Sequence, residues 1–410
     1  MIGIVGFLTK RVGRMSHSKP LAGIKVLELS TVVTAALAAT MLSEQGAQTV
    51  KIEPLGIGDT LRHLGTARAG VSALFANCNR GKRSVALNLK TQEGVDIVRK
   101  LAQEADVLIS NYRPGVLERL GLGSELLREL NPRLVYVAIS GFGTTGPLAA
   151  APAYDHVIQA MSGFSDMQGH GDELDMVKTF VCDEVTAYTA CQATTAALFA
   201  RCSSGQGQHI DLSMLDSAMY FLWPAGMGDH TFQGESIDRR PPLKLTYRTY
   251  PVVDGYITMA PFTDAHWHGL FSATGHTELI QDPRFATMTG RATHMGDLFD
   301  KFEQAFADMS AEDVERLLSE LDIPGSLCLT VDQAIEHPQV KAVGGVHTQQ
   351  HPVLGRLLSP AHPACFGSQR LEPQLPLGNL GEHTREVLAE LGYGDEEVDG
   401  LTHRGVIATG

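Results

Sequence analysis

The chain has 410 residues, of which 43% are hydrophobic and 19% charged. That is the composition of a core-forming globular protein, and the length calls for about two domains. A formal net charge of −13 argues against nucleic acid as the main partner, since phosphate backbones are bound by basic surfaces.

A small anionic ligand needs only a local group of cations. Arg80, Lys82 and Arg83 supply one in sequence, although a solvated loop has the same look. None of the six cysteines has CxxC spacing, which argues against a zinc or redox motif, and scattered thiols in a chain of this size read as cytosolic and reduced. No apolar run reaches the ~18 residues of a membrane span. At the N-terminus the apolar stretch precedes the positive charges, the reverse of a secretion signal. Residues 1–19 read as an extension.

Beyond it, Ile24–Leu29 reads as a buried strand, the Ala-rich run to Glu44 as a helix and Gln48–Glu53 as the next strand. Ser84–Leu89, Gln92–Ala105 and Asp106–Ser110 repeat the strand–helix–strand pattern. Helical pieces at Val116–Leu120 and Ser124–Leu130 lead into a strand at Leu134–Ile139. This alternation predicts a doubly wound, mostly parallel sheet. Val157–Gly163 and Asp183–Arg201 are expected to be helical, with Asp183 at the N-cap of the second. His209–Ser213 is the next strand, and Asp216–Phe221 restarts a helix. The polar stretch 226–248 reads as a linker into a smaller α+β unit, whose hairpin Tyr250–Met259 turns at Asp254-Gly255. Helices are expected near His266–Ser272, Met295–Ala307 and Ala311–Glu320. From about His337 the chain looks irregular, and it closes with helices at Thr384–Leu391 and Asp395–Leu401.

Gly141, Gly143 and Gly146 spell the GxGxxG of dinucleotide-binding proteins after a strand. Pro147 and Pro152 follow, so no helix start is offered to a pyrophosphate. Asp183 is the nucleophile candidate. A carboxylate opening a long helix serves as a cap by default, and next to free N–H groups it could also attack an acyl carbon whose oxyanion those groups hold.

Several runs in order along the chain carry a resemblance. They are Leu21-Ala22-Gly23-Ile24-Lys25-Val26-Leu27-Glu28, Lys51-Ile52-Glu53-Pro54, Gly58-Asp59 with Arg62, and Asn79-Arg80-Gly81-Lys82-Arg83-Ser84. Asn111, Pro114-Gly115, Arg119-Leu120-Gly121, Ser140-Gly141-Phe142-Gly143 and Tyr154-Asp155 continue the series. From about residue 20 to 403 the chain resembles the class III CoA-transferases. The resemblance implies a Rossmann-like large domain, a small domain and an interlocked homodimer. It divides the chain into 20–225, the first part of a CoA-binding domain, the linker 226–248, the small domain 249–336, and 337–410 returning to the large domain.

By the same resemblance Asp183 is the catalytic aspartate, and Val32, Arg62, Leu87, Lys90, Asn111, Tyr112, Arg119 and Leu120 are expected at coenzyme A. The implied reaction moves CoA from an acyl-CoA to a carboxylic acid through an aspartyl anhydride and an aspartyl–CoA thioester, with no metal, no tightly bound cofactor and no membrane or nucleic-acid partner. The sequence departs from the formyl-CoA enzymes at Ala35-Ala36, which replace Gly-Pro, and at Pro54 and Ser140, each replacing a basic residue. Arg239, Arg240 and Arg248 are candidates to read a second carboxylate, which would make one substrate a diacid. Two other readings share the scaffold. One is a racemase of 2-methylacyl-CoA, which requires a second acid–base group where Tyr154 stands; a phenol of pKa about 10 is a poor base. The other is a CoA-binding protein without catalysis.

Overall fold

The computed structural model describes residues 19–169, 173–238, 241–367, 369–371 and 375–410. The N-terminal extension, apart from Lys19, and the pair Arg239 and Arg240 lie outside them. The chain forms two compact units. One holds Met1–Ser162, Val177–Ala218 and Gly344–Gly410, and the other Gly163–Met176 and Met219–Val343. The segment read as a linker is part of the second unit and carries short 3-10 turns at Gly228–His230 and Leu243–Thr246.

The first unit is built on a seven-stranded sheet. Six strands are parallel and lie in the order Lys82–Leu87, Gln48–Glu53, Lys25–Leu29, Val107–Ser110, Val135–Ser140, His209–Ser213. Counted along the chain that is 3-2-1-4-5-6, the doubly wound order. The last strand, Ile407–Ala408, closes the far edge antiparallel, with Ile407 opposite Leu87. Val, Ile and Leu fill these strands because both faces of such a sheet are covered. The order reverses between Lys25–Leu29 and Val107–Ser110. Their carboxyl ends, at Ser30–Val32 and Ser110–Tyr112, therefore diverge into a crevice.

Two Ala-rich helices on one face set the geometry of that crevice. Thr34–Glu44 is buried on nearly all sides, with Ala35, Ala36, Ala38 and Ala39 fully inaccessible. It packs against Val181–Ser204, and small side chains let the two backbones approach closely. The second helix starts at Val181 rather than Asp183, with Phe180 at the N-cap. Asp183 thus lies in the first turn instead of capping it. The reason is Asp155, at the start of the helix Asp155–Ser162, which caps the neighbouring helix from outside. Its Oδ1 accepts from the N–H groups of Cys182 (2.7 Å) and Asp183 (3.2 Å).

Beneath the crevice lies a buried set of charges. Lys51 is 1% exposed and donates to Glu28 Oε1 at 2.7 Å while pairing with Asp59 Oδ2 at 2.9 Å. Lys82 reaches Glu28 Oε2 at 2.7 Å and also donates to the carbonyls of Ala36 and Cys78. Burial alone would push the Glu28 carboxyl up, but the two lysines reverse this and hold it down to about 2. Burial likewise works against the Lys51 ammonium, and its carboxylate neighbours outweigh it, so its pKa is raised. Burial pulls Lys82 down to about 8.

The second unit has its own core around the three-stranded sheet Tyr250–Val252, Gly255–Met259 and Gly325–Leu327. The expected hairpin is there, with Val252 opposite Gly255. The region after His337 is more regular than its composition predicts. Val346–His351 and Gly355–Pro360 form a hairpin held by its backbone ladder, and a polar strand of this kind leaves no apolar alternation to read.

Removing Glu28 would leave two ammonium groups buried beside a single remaining carboxylate. Glu28→Ala should cost about 3–5 kcal/mol in urea unfolding, whereas Glu104→Ala, which breaks the exposed Lys25 pair, should cost about 1 kcal/mol or less.

Candidate functional site

A cavity of about 350 Å³ opens at the switch point of the sheet, a volume in the range of small-molecule sites. The loop after the first strand contributes Thr31 and Val32, the start of the helix that follows contributes Thr34, the loop after the fourth strand contributes Asn111, Tyr112 and Arg113, and Asp183 closes one wall. Asp183 and Arg113 are the charged residues of the lining.

Asp183 is 6% exposed, and its Oδ1 accepts a hydrogen bond from Thr34 Oγ1. Burial pushes its carboxyl up to about 6; the Thr34 bond opposes this, and the nearby charges of Asp155 and Glu184 add to it. A carboxylate poised near neutrality, ionised yet poorly solvated, is a stronger nucleophile than one in water. The N–H groups expected to hold an oxyanion at this helix start are otherwise engaged. Those of Cys182 and Asp183 point at Asp155, and that of Glu184 bonds to Phe180 O.

The structure sorts the other expected residues. Val32, Asn111 and Tyr112 line the cavity with Asp183; Arg62, Leu87, Lys90, Arg119 and Leu120 do not. Arg62 is buried, forks onto Glu53 at 2.8 and 2.7 Å and lies over the Phe75 ring. A guanidinium so committed has little left for a ligand phosphate. Leu87 is a core residue and Leu120 packs against the same core. Lys90 and Arg119 are exposed. The basic cluster read from sequence is also used internally, since Arg80 pairs with Glu44, Lys82 with Glu28, and Arg83 with Glu386 and Glu390. The amide of Asn111 grips the backbone of Thr31 on both sides, accepting its N–H at 3.1 Å and donating to its carbonyl at 2.7 Å. Arg248 pairs with Glu303 at 3.7 Å and covers the Phe299 ring.

Sequence reasoning passed over Thr34, Arg113 and the capping role of Asp155. Arg113 had a signal, as a cation directly after Asn111-Tyr112 at the end of a sheet strand. Thr34 had none, because its partner lies 149 residues away. The GxGxxG run is a loop, as its prolines predict. Gly143 N–H bonds to Ser140 Oγ at 3.0 Å, and the next helix begins only at Asp155.

A cavity at the switch point of a doubly wound sheet lies where such folds bind their ligands, and here a buried carboxylate lines it. Comparison with known proteins agrees. The model of CoA-transferase family III matches residues 21–384. The chain is 33% identical over 393 residues to Succinate--glutarate CoA-transferase of Agrobacterium fabrum, covering 92% of this chain and 96% of that one. It is 30% identical over 408 residues to Formyl-CoA:oxalate CoA-transferase of Escherichia coli, covering 93% and 98%. A CAIB/BAIF family protein from Brucella suis superposes with a TM-score of 0.79 at 32% identity, over 92% of this chain and all of that one. The chain belongs to CoA-transferase family III and is a class III CoA-transferase.

Because the Asp183 carboxyl is raised above its ordinary value of 3.8, folding disfavours its ionised form. The stability contributed by this site is full below about pH 4 and is lost as pH rises through about 6. Asp183→Asn keeps an oxygen for Thr34 and removes the charge. It should raise stability at pH 8 by ~1–3 kcal/mol and leave it nearly unchanged at pH 4, as read from melting curves across the pH range.

Proposed function

We propose that Asp183 carries CoA between two carboxylic acids as a covalent nucleophile. Its carboxylate attacks the thioester carbon of the donor, the C–S bond breaks, and CoA leaves as thiolate with an aspartyl–acyl anhydride behind it. The thiolate attacks the aspartyl carbonyl, releases the donor acid as carboxylate and forms an aspartyl–CoA thioester. The acceptor carboxylate attacks that thioester, expelling thiolate into a second mixed anhydride. Attack of the thiolate on the acceptor's acyl carbon yields the new acyl-CoA and regenerates Asp183. No proton is gained or lost over the cycle. The observation that carries this reading is the buried Asp183, held by Thr34 on the wall of a cavity at the switch point. Partial burial limits the water that would hydrolyse the anhydride.

The likeness to a succinate–glutarate enzyme supports a short diacid as one substrate. The absence at Pro54 and Ser140 of the basic residues expected for the formyl-CoA enzymes argues against the formyl/oxalate pair. Of the arginines first considered for the second carboxylate, Arg239 and Arg240 lie outside the described residues, and Arg248 is engaged by Glu303. Arg113, without an ion-pair partner among the described residues, is better placed to take a phosphate of CoA. We further propose a homodimer, as in the family. The exposed Tyr188 and Phe199 on the helix Val181–Ser204 are apolar surface that such a contact would cover. The racemase reading lacks a second base, since the cavity offers Tyr154 in that place and the exposed His156 is not in its lining.

Asp183→Ala should reduce transfer between succinyl-CoA and a panel of mono- and dicarboxylic acids to background. Hydroxylamine added to the acyl-CoA-loaded wild type should mark Asp183 in peptide mass spectra. Turnover by the Ala variant would overturn the mechanism.

The acid limb of kcat/KM should fall near pH 6, about tenfold per pH unit below it. Thr34→Val removes the hydrogen bond that lowers the Asp183 pKa, so its limb should move to higher pH. Arg113→Ala should raise KM for the acyl-CoA by about tenfold, corresponding to ~1.4 kcal/mol, and leave KM for the acid unchanged.

A further inference from the structure

The loop between the first strand and its helix is held at Ser30, Thr31 and Val32. Ser30 Oγ donates to Glu28 Oε1 at 2.6 Å and receives Lys51 Nζ at 3.2 Å. Thr31 is gripped by Asn111. Val32 has a φ of +65°, a conformation in which a β-branched side chain is strained. Its N–H donates to Asp59 Oδ1 at 3.1 Å. Two residues on, Thr34 bonds to Asp183.

Asp59 is fully buried and comes from a separate loop. Its Oδ1 also accepts from Leu61 N–H at 2.9 Å, its Oδ2 faces Lys51 at 2.9 Å, and its own N–H is fixed by Glu53 Oε2 at 3.0 Å. The turn before it needs glycine. Gly58 has a φ of +65°, and a Cβ there would lie 2.9 Å from Glu53 Oε2. The aspartate is therefore immobile, and one of its oxygens is aimed at the one strained peptide in the cavity wall.

We infer that Asp59 is a positioning residue of this enzyme, holding Val32 in its left-handed conformation so that the cavity stands preformed for the CoA thioester. Relaxed to negative φ, Val32 would turn its peptide away from Asp59 and change the part of the cavity wall that Val32 itself forms. The inference rests on the reading of the cavity as the CoA site. It predicts a specific coupling, because glycine at position 32 adopts φ > 0 without strain and needs no holding.

The test is a double-mutant cycle of Asp59→Ala and Val32→Gly in the full-length enzyme, with Kd for free coenzyme A from calorimetry and KM and kcat for the acyl-CoA. Asp59→Ala removes the acceptor of the Val32 N–H and alone should weaken coenzyme A and raise KM by tenfold or more, with kcat at saturation changed by less than about threefold. In the Val32→Gly background the same substitution should cost less than about threefold in Kd. Wild-type affinity in Asp59→Ala, or an equal penalty in both backgrounds, overturns the inference, since a general structural role would act alike in the two. Should Asp59→Ala fail to fold, Asp59→Glu keeps the charge against Lys51, moves the oxygen off Val32 and is read by the same two outcomes. A wild type that binds coenzyme A but transfers it to no acid refutes the functional reading alone, and the binding cycle still decides this one.

Discussion

The buried ammonium of Lys51 is the constraint on which the site depends. A charge with 1% exposure is tolerable only if carboxylates meet it at hydrogen-bond distance, and Glu28 and Asp59 do so. Glu28 sits opposite Lys51 in the parallel register, so that pair is set by the sheet. Asp59 is on a loop, and its attraction to Lys51 brings the loop down onto the sheet. The oxygen that does not face Lys51 then holds the backbone next to the cavity. An electrostatic requirement of the core is converted into the shape of a cavity wall.

Across that wall the charges are arranged differently. Among the described residues no cation forms an ion pair with Asp183. It has a hydroxyl donor, and a second carboxylate close by is already occupied by backbone N–H groups. Burial that a single hydroxyl donor only partly offsets is what keeps its carboxyl near 6, and the same burial costs folding free energy once the group ionises. The two halves of the site thus follow opposite rules. Charges are matched beneath the strained loop, and one is left under-matched at the residue proposed as nucleophile.

An acidic protein that takes a polyanionic substrate has to keep some cations free. Here most of the basic residues near the sheet are not free: Arg62, Arg80, Lys82 and Arg83 each neutralise a carboxylate of the fold. Lys90, Arg113 and Arg119 have no ion-pair partner among the described residues. They follow the carboxyl ends of the third and fourth strands, Lys82–Leu87 and Val107–Ser110. Ligands of doubly wound sheets bind beyond those ends, so the free cations fall on the side where an anionic nucleotide is expected.

The sequence by itself was enough for the parallel sheet, because β-branched runs alternating with helical periods admit few other folds. Ordered motifs sufficed for the family and singled out Asp183. Residue type and spacing also exposed the false glycine fingerprint, since Pro147 and Pro152 forbid a helix start whatever surrounds them. What only the tertiary structure decided is which polar groups answer which. Arg62 and Asn111 look like ligand contacts in a motif, yet their partners, Glu53 and Thr31, are known only once the strands are aligned. Asp183 looks like a cap until Asp155 is seen to fill that place, and Thr34 carries no mark at all. Hydrogen bonds and ion pairs act over about 3 Å, and the chain separates these partners by up to 149 residues. Periodicity and composition report burial, which is a local property; pairing is a property of the closed fold.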